Sequence, residues 1–341
     1  MRAIPPRSFN GNSAQVASTI FSNRLRDVKR ALNKIYQETM QNKELIAQCE
    51  QKATQWLAPA FDEATRKAVQ EMMDSENKDL LIESFYKDLE FGTGGLRGIM
   101  GAGSNRMNVY TVGMATQGFA NYLKINFKDK EQISVVVCHD CRNNSRLFAE
   151  TVANIFSANG IKVYLFEDLR PTPECSFAIR HFKAQGGVNI TASHNPRHWN
   201  ALKLLNQEGE FLTKDNGNEV LEIAEKENFE FADVDHLGKY TEDSTFNQRH
   251  IESVLALKLV DREAIRNAHF KVAVDAINSV GGIILPELLK ALGVEYTMIN
   301  GEANGDFAHN PEPLAQNLGG IMSEIGKGGY DLGIVVDPDV D

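Results

Sequence analysis

The sequence predicts an α/β protein with two similar three-layer domains and mixed sheets, preceded by an α-helical extension. After Gly92, short β-branched runs alternate with amphipathic helical segments, which is the pattern of α/β domains. The same succession occurs twice: a strand, an aspartate, a helix that ends at a glycine, and a second strand. Three helical patterns precede both copies.

The helical extension is predicted from apolar residues at helical spacing. The first run is stopped by Pro59, and Asp62 is the expected N-cap of a helix over Ala64–Met73. A third helical run is predicted over Asp79–Phe91. We interpret the apolar stripes of these helices as packing faces.

The first α/β copy starts with a β-branched strand over Ile133–Cys138. A helix over Ser145–Asn159 follows, and Gly160 is suited to end it in the left-handed conformation. The next strand is predicted over Ile161–Phe166.

The second copy repeats this order further along the chain. Phe270–Val274 is the strand, Asp275 follows it, and Gly281–Leu292 is the helix. Gly293 is predicted to end that helix before a strand over Val294–Ile299. A polar stretch around residues 233–248 is expected to join the two copies.

Composition narrows the classes of function. The 341 residues carry a net charge of −10, which argues against a nucleic-acid groove or an anionic membrane as the main partner. No apolar run reaches the length needed to span a bilayer. Four cysteines are too few for a disulfide scaffold and suit a reducing compartment. We therefore expect a soluble, cytoplasmic protein.

The first residues differ from the rest in charge. Residues 1–36 hold seven basic residues and one acidic residue, a composition that resembles a transit peptide. The alternatives are an accessory extension, or an upstream start with Met40 as a second start. Residues 1–39 are therefore left out of the fold prediction.

Three aspartates follow the strand predicted over Leu332–Val336. Asp337, Asp339 and Asp341 alternate, and in an extended strand each such step spans about 6.6 Å. They could bind one Mg²⁺ only if the loop curls around it. An exposed acidic turn is the alternative, whereas an EF-hand would need a helix before the first aspartate.

Ser193 follows another predicted strand, Gly187–Thr191, at the sheet edge where α/β proteins collect ligands. A serine hydroxyl is a weak nucleophile unless a base or a metal activates it, or unless it carries phosphate. The alternative is a simple turn shaped by the residues that follow. Lys203 could act as an acid or base, or it could be an ordinary solvated lysine.

Two further motifs carry less information. The segment of residues 92–98 is rich in glycine and contains Arg97, but it lacks the dinucleotide fingerprint. We expect this segment to be a loop, whose backbone N–H groups and guanidinium suit a phosphate. Cys138 and Cys141 form a C-x-x-C pair without a second pair for zinc, so we interpret them as structural.

Three motifs together resemble the α-D-phosphohexomutase superfamily, specifically its phosphoglucomutase/phosphomannomutase members. They are FGTGGLRG at 91–98, NITASHNPRHWNALKLL at 189–205 and GIVVDPDVD at 333–341. The helical extension is similar to that of the longer members, which include phosphopentomutases. The resemblance extends from about residue 43 to the end.

The resemblance implies a role for each site residue. Ser193 would be the phosphoserine and would complete a Mg²⁺ site with Asp337, Asp339 and Asp341. Lys203 would be a general acid/base, while Arg97 and His194 would steady the phosphoryl group.

The implied reaction is reversible phosphate transfer between O1 and O6 of a hexose phosphate, glucose or mannose, through a bisphosphate. Mg²⁺ is the implied cofactor, glucose 1,6-bisphosphate the activator, and a sugar phosphate the partner molecule. Phosphopentomutase activity is an alternative. Two others are a metal-dependent phosphatase with a serine nucleophile, and a silent scaffold that keeps the fold.

The resemblance also implies a domain plan. Residues 1–39 would be an extension, 40–91 a helical prelude, 92–235 domain I with the phosphoserine, and 249–341 an incomplete domain II with the metal loop. Family members continue into a third and a fourth domain. We therefore expect residues 1–341 alone to bind Mg²⁺ weakly and to turn over poorly.

Overall fold

A computed structural model describes residues 42–92, 94–166, 168–226, 232–241, 243 and 245–341. The predicted α/β fold class is confirmed. The described residues divide into two compact units, those up to Tyr86 and those from Lys87 onward. The extension at residues 1–39 and the targeting hypothesis lie outside the described residues.

The described part of the first unit consists of three helices, α1 (residues 42–55), α2 (Glu63–Asp74) and α3 (Asp79–Phe85). Asp62 caps α2 as predicted, because its Oδ1 accepts a hydrogen bond from the Thr65 N–H at 2.9 Å. Trp56 stacks on Phe61, with ring centroids 4.7 Å apart.

The predicted helix over Asp79–Phe91 was wrong beyond Phe85. The Leu89 N–H donates to the Ser104 carbonyl, and Phe91 begins a strand and is buried in the core of the second unit. The apolar periodicity therefore combines a short helix with residues that pack elsewhere.

The first sheet has seven strands in the order β1-β2-β6-β5-β3-β4-β7. It is mixed, because β3 runs parallel to β4 and β5, whereas β6 is antiparallel to β2 and β5. Two apolar clusters pack on it. Its strands and helices are β1 (Phe91–Gly92), β2 (Gly95–Ile99), α4 (Val109–Asn126), β3 (Ser134–His139), α5 (Ser145–Ala158), β4 (Lys162–Leu165), α6 (Thr172–Phe182), β5 (Gly186–Ile190), β6 (Trp199–Leu205), α7 (Lys214–Glu225) and β7 (Tyr240–Thr241).

The second sheet has three described strands in the order β10-β8-β9, all parallel, so the mixed character expected of both sheets is seen in the first. Its core lies between the sheet and the helices before and after β8. The elements are α8 (Phe246–Leu255), α9 (Arg262–Ala268), β8 (Lys271–Asp275), α10 (Gly281–Leu292), β9 (Glu295–Ile299), α11 (Gly319–Gly326) and β10 (Leu332–Val335).

The helix stops and strand ends fall where the sequence places them. Gly160 and Gly293 follow α5 and α10 with φ of +73° and +76°, the left-handed conformation that favours glycine. Ser193 follows β5 and Asp337 follows β10, each at the carboxyl end of a strand. In the part of the chain that the structure describes, no helix is long and apolar enough to cross a membrane.

Candidate active site

The glycine-rich segment is a β-hairpin and not the loop that we expected. β1 and β2 pair antiparallel, and Gly95 lies opposite Lys203 of β6. A Cβ on Gly95 would lie 2.1 Å from the Leu202 carbonyl oxygen, so only glycine permits this close pairing. The hairpin places Arg97 on a strand of the sheet.

Ser193 lies in the segment of residues 192–199, which runs from the end of β5 to the first residue of β6 and which we call the serine loop. Its φ is +50°, an uncommon conformation for serine that is held by a hydrogen bond from its N–H to the Thr191 Oγ1 at 3.1 Å. The buried Ser193 hydroxyl donates to the Asp337 Oδ2 at 2.7 Å. The His194 Nδ1 lies 3.3 Å from the same hydroxyl oxygen. The Ser193 side chain thus points toward Asp337, which follows β10 of the second sheet.

A buried ion pair that we did not single out holds the serine loop. The Arg142 Nε lies 3.0 Å from the Asp140 Oδ2, and neither side chain is exposed. The guanidinium donates to the Ser193 carbonyl and, at 2.9 Å, to the Pro196 carbonyl. The only sequence signal was the position of Asp140, directly after a strand.

Arg97 contacts the serine loop, and His194 belongs to it. The Arg97 Nη1 donates to the Asn195 Oδ1 at 2.9 Å, which ties the hairpin to the residue two beyond the serine. His194 is exposed beside the hydroxyl. An arginine that is half-buried at this edge can contact an anionic group bound at Ser193.

The loop of residues 337–341, which we call the carboxylate loop, curls as a shared ion would require. The Val340 N–H donates to the carbonyl and the Oδ1 of Asp337, and Val340 has a φ of +60°. One oxygen from each of Asp337, Asp339 and Asp341 lies within 4.8 Å of the others.

Lys203 is the basic residue that meets these carboxylates. Its Nζ lies 2.7 Å from the Asp339 Oδ2 and 3.5 Å from the Asp341 Oδ2. Lys327, the basic residue that precedes these carboxylates most closely in the sequence, pairs with Glu324 instead.

Thr172, at the start of α6, also binds the carboxylate loop and was missed in the sequence. Its Oγ1 donates to the Asp339 Oδ2 at 2.5 Å, and its N–H donates to the Asp339 carbonyl at 2.8 Å. The Asn189 amide donates to the same threonine hydroxyl at 2.8 Å. These contacts join residues far apart in the chain.

The electrostatics of the carboxylate loop suit a hard cation. Burial, together with the charge of Asp339, raises the pKa of Asp337 to about 7. For Asp339 burial acts to raise the pKa, but Lys203 and Thr172 outweigh it and the pKa is lowered. The Asp339 Oδ1 is buried without a hydrogen-bond partner. Clustered carboxylates with an orphaned oxygen are a donor set that fits Mg²⁺.

The two cysteines of the C-x-x-C pair are free thiols. Cys138 is fully buried on β3. Burial raises the pKa of Cys141 to about 12, which keeps the thiol protonated and unreactive.

Family models match both α/β regions of the chain. The model described as phosphoglucomutase/phosphomannomutase alpha/beta/alpha domain I matches residues 88–231, and that for domain II matches residues 248–341. The chain belongs to the phosphoglucomutase/phosphomannomutase family. The resemblance seen in the three motifs is therefore confirmed.

Curated relatives carry more than one name. A phosphoglucomutase/phosphomannomutase of Thermococcus kodakarensis is 34% identical over 252 residues, which are 74% of this chain and 53% of that protein. The human phosphopentomutase is 41% identical over 164 residues, which are 46% of this chain and 27% of that protein. The chain thus spans about half, or less, of the length of these relatives.

A solved structure of a candidate phosphomannomutase from Thermus thermophilus has the same fold. It superposes with a TM-score of 0.64 at 26% identity, over 74% of this chain and 56% of that one. A family member from Burkholderia thailandensis, with a TM-score of 0.61 at 22% identity over 72% of this chain and 52% of that one, supports the fold alone.

Proposed function

We propose that this chain carries the phosphoserine centre of a sugar-phosphate mutase that interconverts hexose 1-phosphate and hexose 6-phosphate, with glucose or mannose as the sugar. The observation that carries the proposal is the 2.7 Å hydrogen bond from the Ser193 hydroxyl to Asp337. This bond supports the proposal because the serine hydroxyl lies against a carboxylate cluster that also contains a lysine ion pair. A candidate nucleophile, a candidate acid/base and a candidate cation-binding group thus share one centre.

The proposed reaction is two phosphoryl transfers that balance each other. The free sugar hydroxyl attacks the phosphorus on the Ser193 Oγ, so that a new O–P bond forms and the Oγ–P bond breaks. The Lys203 ammonium donates a proton to the released Ser193 oxygen and is restored by the proton that the attacking sugar hydroxyl loses. After the bisphosphate turns around, the reverse step returns its other phosphate to Ser193 and leaves the isomeric monophosphate.

The chain's own residues would position this transfer. Asp337, Asp339 and Asp341, with an oxygen on Ser193, would hold Mg²⁺. When bound, the ion would offset negative charge on the phosphoryl oxygens. Arg97 and His194 would orient the phosphoryl group.

A second candidate is a phosphopentomutase. It is favoured by the 41% identity to the human protein of that name over 164 residues. The hexose assignment is favoured by the longer alignments, such as the 280 residues shared with a Staphylococcus haemolyticus phosphoglucomutase at 32% identity. Both share the proposed Ser193 chemistry and differ only in the sugar.

The proposal is tested by phosphopeptide mass spectrometry. The purified chain is incubated with Mg²⁺ and either glucose 1,6-bisphosphate or ribose 1,5-bisphosphate. We expect phosphate on Ser193, loss of that phosphate in Ser193→Ala, and no such loss in Ser176→Ala. Faster loading from the ribose compound would favour the pentose assignment.

Two outcomes would overturn the proposal. A folded chain that stays unphosphorylated on Ser193 with both compounds would remove the phosphoserine. Steady release of inorganic phosphate from sugar monophosphates, with no isomer formed, would instead support the phosphatase alternative.

A further inference from the structure

We infer that residues 300–310, which we call the 300–310 loop, position the serine loop through Phe307 and His309. The contacts of this loop do not depend on the proposed function, whereas their effect on phosphoryl transfer rests on it. The loop follows β9 of the second sheet. It contacts Arg142, whose guanidinium binds the serine loop of the first sheet.

The loop is anchored by a fully buried carboxylate at the end of β8. The Asp275 Oδ1 accepts hydrogen bonds from the Ile277 N–H at 3.0 Å and from the Asn300 amide at 2.9 Å. The other oxygen, Oδ2, lies 3.2 Å from the His309 Nε2. One aspartate therefore holds both ends of the 300–310 loop.

The anchor sits among strained backbone positions. Ile277, Asn278 and Asn300 have φ values of +47°, +52° and +52°, which non-glycine residues rarely adopt. The Asn278 N–H donates to the Asn300 carbonyl at 2.7 Å, which ties two of these positions together. Such strain persists only where the surroundings fix it, and it concentrates at functional sites.

The middle of the loop packs tightly on the turn that carries Arg142. Gly305 has a φ of +76°, its N–H donates to the Asn278 carbonyl at 3.1 Å, and a Cβ there would lie 2.4 Å from the Cys141 carbonyl oxygen. The Asp306–Arg197 ion pair, at 3.1 Å, also joins the two loops. Both of its side chains are largely exposed, so it contributes little.

Phe307 makes the contact that matters for Ser193. Its ring centroid lies 4.9 Å from the Arg142 Cζ, in a cation–π arrangement. The same guanidinium pairs with Asp140 and donates to the Ser193 carbonyl. Phe307 thus covers the side chain that fixes the serine backbone, which makes it a positioning residue and not a catalytic one.

The test is amide hydrogen exchange of the serine loop in three variants of the full chain. The reporters are the N–H groups of Ser193, Asn195 and Trp199, each of which donates to a nearby oxygen. Phe307→Leu is expected to speed their exchange roughly tenfold. Phe307→Tyr, which keeps the ring, and Leu314→Ala, an exposed apolar control that follows the 300–310 loop, are expected to exchange like the wild type.

A second readout is the initial rate of Ser193 phosphorylation by glucose 1,6-bisphosphate. We expect it to fall several-fold in Phe307→Leu and in His309→Ala, with no change in Phe307→Tyr. A merely structural role would lower the thermal midpoint without this ring-specific rescue.

The outcomes separate this inference from the proposed function. Unchanged exchange in Phe307→Leu, or equally fast exchange in Leu314→Ala, would overturn the positioning role. If wild-type Ser193 accepts no phosphate, the proposed function fails, and the exchange rates still decide the role of the loop.

Discussion

The serine loop and the carboxylate loop occupy equivalent ends of two strands but differ in how their charges are balanced. Each contains one non-glycine residue in the left-handed conformation, Ser193 and Val340. The backbone of the serine loop is held by the Arg142 guanidinium, which is matched by one buried carboxylate, Asp140. In the carboxylate loop one lysine, Lys203, pairs with Asp339 and Asp341, while Asp337 accepts a hydrogen bond from the Ser193 hydroxyl.

The difference in charge balance indicates what each loop needs. The serine loop has its hydrogen-bond donors in place, so its backbone is preorganised by the protein itself. The carboxylate loop keeps one buried oxygen without a partner and one aspartate, Asp337, with a pKa near neutrality. Bound Mg²⁺ would correct both features. Three substitutions beside these loops test this contrast, and a fourth tests the charge balance of another buried carboxylate, Glu174; they follow from the largest expected effect to the smallest.

Arg142→Leu should have the largest effect on stability. It leaves Asp140 buried without its counter-charge, which costs about 3–5 kcal/mol in the free energy of unfolding. Urea unfolding at pH 7 measures the loss. The control is Arg146→Leu, whose partner Glu150 is about half exposed, and it should cost less than about 1 kcal/mol. Equal losses in both variants would refute the buried-pair account.

Lys203→Met should destabilise the metal-free chain by about 3 kcal/mol, the lower end of the range for a broken buried pair. Protonation of a neighbouring carboxyl would relieve part of the cost. Added Mg²⁺ should raise the thermal midpoint of this variant more than that of the wild type. Lys327→Met breaks the pair of an exposed lysine with Glu324. This control should neither destabilise the chain by this amount nor change its response to Mg²⁺. If added Mg²⁺ raised the thermal midpoint of Lys203→Met and of the wild type equally, the lysine would not balance the charge of the carboxylate loop.

Glu174→Gln should change the pH dependence of stability. Burial raises the pKa of Glu174 from 4.5 to about 7, although Arg170 opposes the shift. A raised folded-state pKa favours the protonated folded form, so this stabilisation is present at low pH and is lost as pH rises toward 7.

The difference in unfolding free energy between Glu174→Gln and the wild type should therefore shift by about 2 kcal/mol in favour of the variant between pH 5.5 and pH 7.5. Urea titrations at several pH values measure it. A difference that stays constant with pH would mean that Glu174 is not buried as described.

Phe211→Leu should have the smallest effect. The ring of Phe211 lies 5.2 Å from the Lys203 Nζ, and removing this contact should cost about 0.5–1 kcal/mol. Phe270→Leu is the matched control, because both phenylalanines are 41% exposed. If calorimetry gave the same thermal midpoint for both variants, the Phe211 ring would not stabilise the Lys203 ammonium.

Local patterns in the sequence predicted much of the fold. The Asp62 cap and the stops at Gly160 and Gly293 depend on nearby residues, so they could be predicted without tertiary information. The wrong assignments at 86–91 and at the glycine-rich hairpin arose because tertiary contacts, such as the close approach of Gly95 to β6, decide those segments.

The site was predictable only in part for the same reason. The motifs named Ser193, Lys203 and the three aspartates, and the structure brings these together. Arg142 and Thr172 act through contacts with residues more than fifty positions away. The periodicity and spacing of residue types along the chain do not indicate such contacts.

The central claim is that the carboxylate loop holds a divalent cation beside Ser193, and Mn²⁺ binding followed by electron paramagnetic resonance tests it most directly. Mn²⁺ takes the same oxygen ligands as Mg²⁺ and is detectable in its free form. The account predicts one bound ion per wild-type chain, affinity at least about tenfold weaker in Asp339→Asn, and no change in the exposed control Asp215→Asn. Equal binding by the wild type and Asp339→Asn, or no binding by the wild type, would contradict it.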